Sequence, residues 1–177
     1  IKYIIQRKMK TRGFEICRGF GNKNINIPIR KTKHSVGYDI EVAVDTLIPS
    51  IWKTVFYNLK QFLSGKNDYQ EFKPTLIPTG IKAYFMPDEV LILANKSSFP
   101  IKHGLIMSNS IGIVESDYYN SEENDGHLQF MYYNISFKDK ILKKGDSAGQ
   151  AYFQKFLICD NDNATGKRTG GFGSTGK

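Results

Sequence analysis

The sequence predicts an all-β protein, a jelly-roll β-barrel or sandwich with one helical insert near residues 51–63. Three observations lead there. Short runs rich in Val, Ile, Tyr and Phe recur along the 177 residues, bounded by Gly, Pro, Asn, Asp and Lys turns. Only one stretch shows a helical period. At 40% hydrophobic and 24% charged, the chain has an ordinary globular balance and is long enough for one core.

Strands are expected at 15–17, 36–42, 81–85, 90–93, 105–107, 111–114, 128–137 and 151–158. The run Gln129-Phe130-Met131-Tyr132-Tyr133-Asn134-Ile135 is aromatic and β-branched enough to be a buried strand. Residues 143–146, KKGD, read as a turn, with Gly145 suited to a positive φ. The exception to the β pattern follows Pro49. Apolar residues fall at Ile51, Trp52, Val55, Phe56, Leu59, Phe62 and Leu63, the i, i+3/i+4 rhythm of an amphipathic helix. Ser50 can cap its start and Gly65 can end it. This helix is expected to cover the barrel or a subunit contact.

Charge and composition exclude several classes. The net charge is +8, but residues 1–34 hold ten Lys/Arg against one Glu, and the rest of the chain is nearly balanced. That distribution describes a solvated basic edge better than a nucleic-acid groove. No apolar run approaches the ~20 residues of a membrane span, and no signal peptide is visible. Cys17 and Cys159 are too few for a disulfide framework, and His34, His103 and His127 lack zinc-ligand spacing. A cytoplasmic protein is expected. Residues 1–8, IKYIIQRK, read as a leader or an added segment ahead of a native start at Met9.

Several polar clusters are candidates for chemistry. Asp39 lies inside an otherwise apolar strand, where a carboxylate needs a partner or a cation, hydrated Mg²⁺ included; an edge strand's solvent face is the alternative. Lys96, Ser97 and Ser98 offer a cation and two hydroxyls after an apolar run, or simply form a polar turn. Glu115 and Asp117 follow a hydrophobic strand beside Tyr118, a place for a general base or for exposed hairpin acids. The C-terminal residues 168–177, RTGGFGSTGK, spell most of a Walker A pattern. That pattern works only between a strand and a helix, so a P-loop is excluded. Free backbone N–H groups, hydroxyls and cations still suit polyphosphate.

Taken in order, GYDI at 37–40, KSS at 96–98, NSIGIVESDY at 109–118, GDSAGQ at 145–150 and RTGGFGSTG at 168–176 resemble the five motifs of the trimeric dUTP pyrophosphatases, the dUTPases. The helical insert and the KKGD turn resemble the longer branch found in low-GC Gram-positive bacteria and their phages. The resemblance implies a jelly roll (residues 9–160) with a flexible C-terminal lid (161–177). It also implies a homotrimer with shared sites and cleavage of dUTP between the α- and β-phosphates to dUMP and pyrophosphate. By motif, Asp39 would hold Mg²⁺ through water, and Lys96, Ser97, Ser98 and Gln150 would meet phosphates. Asn109, Gly112 and Ile113 would read uracil, and Tyr118 would pack beneath the deoxyribose. Glu115 would activate the attacking water. From the tail, Arg168 would meet the γ-phosphate, Phe172 would stack on the base, and Gly173, Ser174 and Thr175 would donate to phosphates. The sequence departs from the family pattern at Lys96 for Arg, Glu115 for Asp, Ser147 for Arg and Tyr119-Asn120 for a basic-Gly pair. These departures leave open a weakly active or non-catalytic relative that binds nucleotide or a protein partner; a dCTP deaminase is the remaining alternative.

Overall fold

The computed structural model describes residues 10–166 and Arg168. Its strands are β1 (Gly13–Ile16), β2 (Tyr38–Glu41), β3 (Thr46–Ile48), β4 (Thr75–Pro78), β5 (Ile81–Tyr84), β6 (Glu89–Ala94), β7 (Leu105–Met107), β8 (Ile111–Val114), β9 (Gln129–Asn134), β10 (Lys140–Leu142) and β11 (Ser147–Lys155). One α-helix, α1 (Ile51–Leu63), lies between β3 and β4. A four-stranded sheet runs β2-β11-β6-β8 and a three-stranded one β4-β9-β7, with two smaller pairs, β1-β5 and β3-β10. The strand pairs are antiparallel throughout. This is the expected jelly-roll sandwich.

The strand β9 shows how the sequence builds the core. Its alternation buries Phe130, Tyr132 and Asn134 and turns Gln129, Met131 and Tyr133 outward, the period-2 pattern of a half-buried strand. Phe130 and Tyr132 pack with Ile40, Leu91, Leu93 and Ala151 of the four-stranded sheet in a single core. Each large side chain removed from water here contributes about 1.5–3 kcal/mol. The Tyr132 hydroxyl donates to the Ala148 carbonyl at 2.8 Å, which ties β9 to β11 across the core.

Three strands escaped sequence reading. Thr46–Ile48 and Lys140–Leu142 are three residues each and exist because they pair with one another. Thr75–Pro78 ends in a proline, which reads as a breaker; it is tolerated because β4 is an edge strand. Conversely, β11 starts before the expected 151 and stops at Lys155, opposite Glu89, the first residue of β6. Leu157 and Ile158, expected in the strand, are 97% and 70% exposed. Gly145 takes the predicted positive φ of 84°.

The helix begins and ends as its sequence predicts. The Ser50 hydroxyl accepts from the Trp52 N–H at 3.2 Å, and Gly65 follows Ser64 at the C-terminal end with φ 66°. Its first turn is anchored. The Trp52 ring stacks on Phe137 with centroids 4.7 Å apart, and Lys53 pairs with Asp139 at 2.6 Å. No residue of α1 is fully buried, and Phe56, Leu59, Phe62 and Leu63 stay exposed, so much of the helix's apolar surface remains in water.

Ahead of β9, the His127 ring accepts the Thr79 and Gly80 backbone N–H groups on Nε2, at 3.1 and 2.8 Å. Burial lowers its pKa from the ordinary 6.5 to about 4, against an opposing pull from Asp125. As pH falls, the unfolded chain therefore takes up this proton first. The neutral ring's contribution is fully present above pH 6.5 and disappears towards pH 4, for a loss of at most about 3 kcal/mol. Urea titrations between pH 7 and 4.5 are expected to show that fall in wild type and a flatter profile in His127→Gln.

Candidate functional site

The four-stranded sheet sets one row of residues across its width. Asp39 on β2 lies opposite Gln150 on β11, which lies opposite Ala94 on β6, which lies opposite Ile111 on β8. Asp39 sits on an edge strand yet is only partly exposed. Its Oδ1 accepts from Lys96 Nζ at 2.9 Å, and Lys31 Nζ stands 3.2 Å from its Oδ2. Partial burial by itself would raise the Asp39 pKa. The two ammonium groups outweigh it and hold the carboxyl below its usual range. Gln150 reaches beside Asp39 and donates to the Asn95 carbonyl at 3.1 Å. Gly37 makes room for it, since a Cβ there would come 2.5 Å from Gln150 Oε1.

Lys96 leaves the end of β6, and the Phe99 N–H donates to its carbonyl at 2.9 Å, closing a turn over Ser97 and Ser98. Phe99 is the anchor of that turn. It is buried against Tyr132, and Ser97 is left exposed. A shallow cleft of about 330 Å³ runs beside Asp39, with Lys31, Ile29 and Ser147 in its walls. The Ser147 hydroxyl there is buried and, among the described residues, lacks a hydrogen-bond partner.

A second cluster lies off the opposite edge. β7 and β8 belong to different sheets and are joined by the exposed tip of residues 108–110, where Asn109 projects and Ser110 takes φ 60°. Among the described residues β8 pairs only with β6, which leaves one row of its backbone groups without a strand partner there, with Gly112 packed inward on Leu93 and Ile113 outward. Beyond it, Glu115 and Asp117 are exposed and Tyr118 is buried. Arg168 crosses this group. Its Nε is 3.0 Å from Asp117 Oδ1, a guanidinium NH₂ pairs with Glu115 Oε2, and Cζ lies 5.5 Å from the Tyr118 ring centre.

The structure thus gathers Asp39, Lys96 and Gln150 at one edge and Glu115, Tyr118 and Arg168 at the other. Three strand spacings span roughly 14 Å, and four residues along β8 add roughly 13 Å, so the proposed base and Asp39 stand about 20 Å apart within one chain. Lys31 was missed because it lies in a loop without periodic signal. Phe172, Gly173, Ser174 and Thr175 lie outside the described residues. Among the described residues there is no cluster of three or more His, Cys, Asp or Glu able to chelate a metal, and no helix is long and apolar enough to cross a membrane.

No protein-family model matches the chain. Comparison with individual proteins is decisive. The fold matches the crystal structure of dUTPase from Streptococcus mutans with a TM-score of 0.69 and 33% identity, over 84% of this chain and 99% of that one. The dUTPase from phage phi11 of S. aureus shares the fold at a TM-score of 0.61 with 14% identity, over 88% and 96% of the two chains. In sequence, the deoxyuridine 5′-triphosphate nucleotidohydrolase of Lactococcus lactis is 43% identical over 170 residues, covering 95% of this chain and 99% of that protein. The chain belongs to the dUTPase family of enzymes.

The electrostatics at Asp39 are open to a direct check. Substituting Lys96→Met leaves burial opposed by Lys31 alone, so the Asp39 titration midpoint, followed by NMR at its carboxyl carbon, is expected to rise above its wild-type value.

Proposed function

We propose that this chain hydrolyses dUTP to dUMP and pyrophosphate at sites shared between the subunits of a homotrimer in the cytoplasm. The observation that carries this reading is the division of the polar residues into two half-sites about 20 Å apart on one sheet. One chain cannot bring Glu115 and Asp39 to the same phosphate; neighbouring copies can. The apolar residues that a single chain leaves in water, Ile113 and Leu157 among them, fit burial against such copies.

In this reading Glu115 is the general base. It takes a proton from water as the water oxygen bonds to the α-phosphorus, and the bond from that phosphorus to the bridging oxygen breaks to release pyrophosphate. Lys96, Ser97, Ser98 and Gln150 hold the phosphates, and Lys31 joins them. Asn109 and the open edge of β8 at Gly112 and Ile113 read the uracil, and Tyr118 supports the deoxyribose. Arg168 passes from Glu115 and Asp117 to the γ-phosphate, which frees the base. Phe172, Gly173, Ser174 and Thr175 close over the nucleotide and exclude water. Asp39 is a single carboxylate already paired with two lysines, which fits a hydrated Mg²⁺ held chiefly by phosphate and not an ion chelated by protein. When bound, Mg²⁺ would neutralise charge on the phosphates. No nucleic acid or membrane enters the scheme.

Pyrophosphate release from dUTP with Mg²⁺, measured beside UTP and dCTP, tests the activity. Glu115→Gln is expected to cost about 10²-fold or more in kcat. Tight binding without turnover would instead make the protein a nucleotide-binding relative, and dUTP formed from dCTP would make it a deaminase. Subunit mixing tests the shared site. Asp39→Asn and Glu115→Gln proteins, each expected to be strongly impaired alone, are expected to regain activity when unfolded together and refolded, because some mixed sites then hold both native residues. No recovery would place each site within one chain.

A further inference from the structure

The loop between Tyr118 and β9 has no part in the scheme above, yet it is held by many hydrogen bonds. Asp125 and Gly126 take φ 63° and 75°, and the His127 N–H donates to the Asn124 carbonyl at 3.1 Å, so residues 124–127 form a type I′ turn. The turn is held from outside through the Asp125 carboxylate. That group accepts from the Arg18 N–H at 2.8 Å, from Arg18 Nε at 2.9 Å and from Lys82 Nζ at 3.0 Å. Lys82 also donates to Asn120 at 2.5 Å. A buried carboxylate needs such partners, and here they fix the loop to β5 and to the segment after β1. The turn is also packed against Tyr118 itself: a Cβ on Gly126 would come 2.5 Å from the Tyr118 carbonyl oxygen.

Inside the turn the Asn124 amide has one orientation. Its Oδ1 accepts from the Ser121 hydroxyl at 2.9 Å and from the Gly126 N–H at 3.1 Å. Its Nδ2 therefore faces the Tyr118 phenol oxygen and donates to it at 2.7 Å. The phenol in turn donates to the His127 carbonyl at 3.2 Å. Both hydrogen-bonding functions of the phenol are thus engaged by protein, so what Tyr118 presents to a ligand is the face of its ring, where Arg168 already lies.

We infer that Asn124 is a positioning residue for sugar selection: by fixing the plane of the Tyr118 ring it sets the closeness that excludes a 2′-hydroxyl. The inference rests on the reading of Tyr118 as the support for deoxyribose.

The test is kcat and KM for dUTP and UTP with the intact trimer carrying Asn124→Ala, Asn124→Asp, Tyr118→Phe or Tyr118→Ala. Asn124→Ala is expected to lower the dUTP/UTP ratio of kcat/KM about tenfold, the worth of one hydrogen bond, through KM more than kcat. In Asn124→Asp the phenol can turn its O–H from the His127 carbonyl to the new carboxylate, which restores a bond between the two residues and is expected to recover most of the ratio. Tyr118→Phe removes the same bond together with the one to the His127 carbonyl, so its loss should be at least as large, and adding Asn124→Ala to it should change little. It also carries the same expectation if Asn124→Ala does not fold. An unchanged ratio in Asn124→Ala or Tyr118→Phe, when Tyr118→Ala abolishes discrimination, overturns the inference alone. An unchanged ratio in Tyr118→Ala overturns the deoxyribose reading and the inference with it. Equal losses on both substrates would show a purely structural role for Asn124 and also overturn it.

Discussion

β11 runs between β2 and β6 with Phe130 and Tyr132 of β9 clamped over its backbone. The Tyr132 hydroxyl reaches the Ala148 carbonyl, and a Cβ at Gly149 would come 2.2 Å from the Phe130 ring, so the register of β11 has little freedom. The pairing slips once, between Ser147 and Gly149, and is regular from there along the strand. Gln150 then faces Asp39 on one side and Ala94 on the other. Everything polar at that edge depends on this placement. A one-residue slip would turn Gln150 into the core and bring an apolar neighbour to the side of Asp39.

The same register separates the chemistry into halves. Each half is built from carboxylates that accept from side chains on flexible stems. Lys31 and Lys96 meet Asp39, and Arg168 meets Glu115 and Asp117. Pairs of this kind on a protein surface are worth little, commonly 0–1 kcal/mol. A polyphosphate carrying several charges can take over these cations at small cost. Tyr118 differs: buried, with both functions of its phenol engaged, it is a fixed surface among exchangeable charges.

How much of this was legible depended on whether a signal is local. The helix was readable from start to end because its apolar spacing, its Ser50 cap and Gly65 all lie within sixteen consecutive residues. Long or strongly patterned strands such as β9 were readable for the same reason, and β7 and β8 fall where expected. β3, β4 and β10 were not, since three or four residues carry no period and only a distant partner makes them strands. At the site, Asp39, Lys96, Glu115, Tyr118 and Arg168 stood out by residue type and motif. Lys31 and Asn124 did not. Lys31 comes from a loop, and Asn124 acts on a tyrosine six positions away through a turn whose geometry is held by Arg18 and Lys82.

The sequence by itself determined the fold class, the single helix and the chemical kinds of the candidate residues, because hydrophobic period, capping and motif spacing are written in consecutive positions. Only the tertiary structure decided which of those residues meet. Strand order places Asp39 and Glu115 at opposite edges of one sheet, and long-range bonds from Arg18 and Lys82 to Asp125 hold the turn in which the Asn124 amide meets Tyr118. Both outcomes are set by pairings between residues far apart in the chain, where local pattern carries no information about the partner.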